Sequence, residues 1–161
     1  MQHLLRRTVV MLVVCLFGCR EGTGGGTFTV MQGEREGHPL FAMIDTSRRD
    51  SKLQAGFPWF LSIKTTLTAP TKDGLPTDQE ATALNDWEDA LEKELSGACQ
   101  FVYVGRVTWN GTRELLYYVD KPDTVVPRLG KLAGGHPVRP FRIQHERDAQ
   151  WTKVSMYLSA H

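Results

Sequence analysis

The residue types that carry chemistry are sparse in this chain and lie far apart. Among three cysteines and five histidines there is no Cys-x-x-Cys and no His-x-x-x-His, the spacings at which one turn or one helical face offers two ligands to a metal. His38 and His136 each precede a proline, a turn context that reads as solvated loop. No Gly-x-x-x-x-Gly-Lys loop is available to cradle a phosphate, and no Gly-x-Ser-x-Gly elbow to present a nucleophilic serine. His145 stands beside Glu146 and close to Asp148, so a hydrolase that uses His136 or His145 with a nearby carboxylate is the alternative reading. Adjacent residues on a strand point to opposite faces, which counts against His145 with Glu146. Cys99 has no histidine near it in sequence and reads as a small buried apolar residue. The expectation is no catalytic residue, no metal and no cofactor.

The other two cysteines sit in a leader-like segment. Residues 1–7 hold Arg6 and Arg7 and no acid, residues 9–17 are almost wholly apolar, and Gly18-Cys19 follow. A basic start, a short apolar stretch and a small residue before the cut describe an export signal. The apolar stretch is about half the roughly 20 residues that a spanning helix needs. Its end, Leu16-Phe17-Gly18-Cys19, resembles the lipobox of bacterial lipoproteins. That resemblance implies a signal peptide over residues 1–18, a palmitate-type lipid anchor on Cys19 and cleavage before it. It also implies, because Arg20 and not Asp follows, an outer membrane location facing the periplasm. Residues 19–27 then form the lipidated Cys and a tether containing Gly22, Gly24, Gly25 and Gly26. With Cys15 leaving in the leader and Cys19 lipidated, Cys99 is the single remaining thiol, and an internal disulfide is excluded.

What must position any site is a single domain over residues 28–161. A chain of 161 residues suits one domain better than two. Residues 28–31 and 40–44 read as a β-hairpin around a polar loop. Trp59, Leu61, Ile63 and Thr65 alternate along a strand. Thr77 and Glu80 have capping-box spacing, and Leu84, Trp87, Leu91 and Leu95 recur at helical spacing, which predicts a helix over 78–96 stopped by Gly97. Two strands over 100–109 and 113–119 meet at Asn110-Gly111, the strongest short hairpin signal. A helix over 123–133, a strand over 138–144 and a closing helix over 148–158 follow. The expected fold class is α+β: a ferredoxin-like βαββαβ antiparallel sheet with helices on one face, preceded by a β-hairpin and closed by a C-terminal helix.

At this level the chain resembles the domain-of-unknown-function family 695. The resemblance rests on Asp73-Gly74-Leu75-Pro76 with Glu80 and Asp86-Trp87-Glu88, and on Val104-Gly105-Arg106-Val107-Thr108 with Asn110-Gly111-Thr112-Arg113. Leu116-Tyr117-Tyr118 and the segment from Asp148 to Trp151 with Tyr157-Leu158 complete it. The resemblance implies a fold and no catalytic residues. Such domains are sometimes joined to ones similar to the protein inhibitor of ribonuclease E, which implies protein binding by association alone.

Charge supplies the remaining signal. The chain has 19 Lys and Arg against 18 Asp and Glu, and removing Arg6 and Arg7 leaves 17 bases. A near-neutral domain has no global field for nucleic acid. Asp78, Glu80, Asp86, Glu88, Asp89, Glu92 and Glu94 oppose only Lys93 along the first long helix, while the later part of the chain is basic. Either the helix pairs with that basic part, or it is an acidic docking surface for a protein partner in the envelope. On the second reading Asp86, Asp89 and Glu92 are the partner-binding candidates, with Trp109, beside the hairpin turn, as an aromatic anchor.

Overall fold

In a computed structural model the chain is described over residues 26–49, 51–134 and 139–159. The expected signal peptide, Cys19, most of the tether and His136 lie outside the described residues. Within them the protein is α+β: one antiparallel sheet of six strands with four α-helices. The elements are β1 (Phe28–Arg35), β2 (His38–Asp45), a 3₁₀ turn (Thr46–Arg49), α1 (Ser51–Gly56), β3 (Trp59–Thr66), α2 (Asp78–Ser96), β4 (Phe101–Trp109), β5 (Thr112–Val119), α3 (Pro122–Gly134), β6 (Phe141–Arg147) and α4 (Ser155–Leu158).

The sheet order is β1-β2-β4-β5-β3-β6, which differs from the expected arrangement in two ways. The N-terminal hairpin does not stand apart before a four-stranded sheet: β2 pairs with β4, from Leu40 opposite Trp109 to Ile44 opposite Gly105. Gly105 makes this join possible. It sits at a bulge between Tyr103 and Gly105, where a Cβ would collide with the backbone carbonyl of Met43. The helices also do not share one face. Leu61, Ile63, Leu115, Tyr117 and Val119 face α2 and α3, where they meet Leu84, Trp87, Leu91, Leu95, Val125 and Leu129. On the opposite face Phe60, Val102, Val104, Leu116 and Tyr118 pack with Trp151, Val154 and Leu158 of the C-terminal segment, and Leu53 of α1 joins them. Strands with apolar residues on both faces must be covered on both, and the run Phe60-Leu61-Ser62-Ile63, buried throughout, is the sign of it.

Both hairpins turn through two residues with positive φ, Glu36-Gly37 (53° and 77°) and Asn110-Gly111 (45° and 72°), the twist that matches paired strands. The first turn is tighter than expected, so β1 and β2 run through most of the polar segment 33–37. Helix α2 matches its expected span. Only half of the capping box forms, however: the Thr77 hydroxyl accepts from the Glu80 N–H at 3.3 Å, while the Glu80 carboxylate turns inward. The closing helix is much shorter than 148–158, because Trp151 at φ 53° breaks the helical path and regular turns start at Ser155. Strand β6 begins at Phe141, after Pro140, which has no N–H to donate to a ladder.

Candidate functional site

Helix α2 carries most of the candidate residues, and the apolar stripe that seats it decides which acids face outward. Glu80 and Glu88 fall within the stripe of Leu84, Trp87, Leu91 and Leu95, and both are 4% exposed. A buried carboxylate is tolerated only with a charge partner and full hydrogen bonding. Glu88 has two: Arg106 of β4 at 2.8 Å and Arg113 of β5 at 3.1 Å, whose side chains reach up from the strands beneath. Arg106 also donates to the Asn85 side-chain carbonyl at 3.1 Å, and Arg113 to the Thr108 hydroxyl at 3.1 Å. Burial, joined by the neighbouring Arg106 charge, pulls Arg113 below the usual guanidinium value.

Glu80 is held in the same manner. Arg139 lies 2.7 Å from its carboxylate, and Thr68 donates its N–H at 2.9 Å and its hydroxyl at 2.6 Å. Burial works against ionisation, yet the Arg139 and Thr68 hydrogen bonds hold this carboxyl down at about 2. Glu94 meets Arg128 of α3 at 2.6 Å. Gly97, the helix stop, has ordinary helical φ, and the Arg128 guanidinium lies close over it and donates to its carbonyl. Glu80, Glu88 and Glu94 of α2 are therefore paired within the molecule, Glu80 and Glu94 to arginines of the basic later part.

Asp78, Asp86 and Asp89 remain exposed and Glu92 is half-buried. The sequence-predicted candidates Asp86 and Asp89 thus share the outer side of one helix, with Glu92 on its half-buried flank. Trp109 does not join them. It pairs with Leu40 in the strand ladder, on the sheet face away from α2, and its indole N–H donates to the Arg35 carbonyl at 3.0 Å. The Arg35 guanidinium lies 4.7 Å from the Trp109 ring centre, so this aromatic is already engaged by the first hairpin.

Of the two hydrolase histidines only His145 lies among the described residues, and its neighbouring carboxylates are engaged elsewhere. His145 is exposed on β6, which is an edge strand, and faces the α2 side opposite Leu61. Glu146 points to the other face and binds Lys153 at 2.7 Å. Asp148 is 8% exposed and fully used: it accepts from the Tyr118 hydroxyl at 2.6 Å, from the N–H and hydroxyl of Thr152, and from the N–H of Lys153. These donors keep its carboxyl below the ordinary range despite burial. Trp151 then stacks on Tyr118, ring centres 4.1 Å apart, and its indole N–H donates to the Phe57 carbonyl. This Asp148–Trp151 clasp is the most fully built polar feature that sequence reasoning missed as a site, and its work is to close the sheet. Its signal was an acid three residues before a tryptophan. Cys99 packs half-buried against the α2-side core, and burial together with the Asp120 charge pushes its thiol up to about 11, away from thiolate chemistry. Among the described residues no three His, Cys, Asp or Glu side chains gather to hold a metal, and no helix is long and apolar enough to cross a membrane.

A family of unknown function, DUF695, matches residues 29–159, and the chain belongs to it. No curated protein and no solved structure matches the chain. The matched span begins one residue into β1, so it takes in all of the sheet but Phe28 and leaves the leader-like segment and Gly-rich tether outside.

Proposed function

We propose that the chain is a bacterial lipoprotein, exported, cleaved before Cys19 and held at the outer membrane by lipid on that residue, with a non-enzymatic binding domain facing the periplasm. One observation carries the reading: two arginines, an apolar stretch of nine residues, Gly18-Cys19 and a glycine-rich tether stand in that order ahead of β1. Several acyl chains at about 0.8 kcal/mol per buried methylene anchor a domain stably. The exposed acids Asp86 and Asp89, with Glu92 beside them, support a docking role for the outer side of α2 toward a basic protein partner in the envelope. The partial order β4-β5-β3-β6 supports reading β3 through β6, with α2 and α3, as a ferredoxin-like unit that the first hairpin extends.

The test follows Cys19. Wild type and Cys19→Ala are expressed in a bacterium, labelled with a palmitate analogue and fractionated. Label and membrane residence present in wild type and absent from the variant are expected. An unlabelled wild type in the cytoplasmic fraction would sink the anchor and return the search for partners to the cell interior.

A further inference from the structure

No further inference is drawn: the strongest candidate, the cleft of about 300 Å³ between the 3₁₀ turn, α1 and α4 that is lined by Arg49, Gln54, Gln150, Trp151 and Ser155, carries nothing, because Arg49 is already engaged and nothing in the structure shows what fills the cleft.

Discussion

On the α2 side of the sheet the two buried carboxylates of α2 are held in ion pairs, Glu88 with Arg106 and Arg113 and Glu80 with Arg139, reached from three different strands or loops. On the opposite side a single carboxylate, Asp148, gathers one hydroxyl from the sheet and three donors from the turn that follows it. The first arrangement fixes a long helix over the sheet by charges distant in sequence. The second folds a short segment onto itself and presents one large ring, Trp151, to the core. Buried ion pairs lose much of their attraction to the cost of removing both charges from water, while an aromatic side chain packed at 1% exposure keeps its gain. The α2 side should therefore owe its geometry to its charges, and the other side should owe its stability to its ring.

The largest effect is expected at the ring. Trp151→Ala removes the stack on Tyr118 and the bond to the Phe57 carbonyl, and should cost about 4 kcal/mol in urea unfolding. A loss below about 1 kcal/mol would mean that the C-terminal segment is not part of the cooperative core. Next comes Glu88→Gln, which leaves two arginines facing a neutral amide, at a cost of about 3 kcal/mol. The comparison sharpens if Glu88→Leu, Arg106→Met and Arg113→Leu are combined. On the argument above the triple variant should recover most of that loss, since the pairs specify the seating of α2 more than they stabilise it.

How far these two regions were legible differs for the same physical reason. Helix α2 and the Asn110-Gly111 hairpin are local patterns, and their spans were readable from spacing alone. The inward turn of Glu80 and Glu88 was legible in principle: both sit at i, i+4 positions of the Leu84, Trp87, Leu91 and Leu95 stripe, where a carboxylate has to find a cation. Which cation could not be read, because Arg106, Arg113 and Arg139 are brought close only by strand pairing across long stretches of chain. The joining of β2 to β4 and the covering of both faces were lost for that reason too, although the unbroken run Phe60-Leu61-Ser62-Ile63 hinted at a strand buried on both sides. The clasp was missed because a helical spacing of Trp151, Val154 and Leu158 concealed a turn whose centre, Trp151, has positive φ. Of the site candidates, sequence placed Asp86, Asp89 and Glu92 together on one helix, and it could not foresee that Arg35 would occupy Trp109.

Acid should separate the buried carboxylates from the exposed ones. Glu80 has its pKa lowered from 4.5 to about 2, so the folded state binds its proton more weakly than the unfolded chain does. Its contribution is complete above the unfolded value and is lost as pH falls from about 5 toward 2, and Asp148, also lowered, adds in the same direction. Unfolding free energy measured across that range should fall steeply in wild type and less steeply in Glu80→Gln. Equal slopes in the two proteins would show that Arg139 and Thr68 do not hold the carboxylate in solution.

The smallest effect is expected two residues from one of the largest. Asp86 lies on the same helix as Glu88, but at 100° per residue the two point about 200° apart, and Asp86 meets solvent while Glu88 meets two arginines. Asp86→Lys should change stability by less than about 0.5 kcal/mol, as substitutions outside buried networks do. If it does, Asp86 has no folding role, and a loss of crosslinking to an envelope protein in the same variant can be assigned to docking. A cost near that of Glu88→Gln would instead make Asp86 part of the helix seating and remove it from the docking surface.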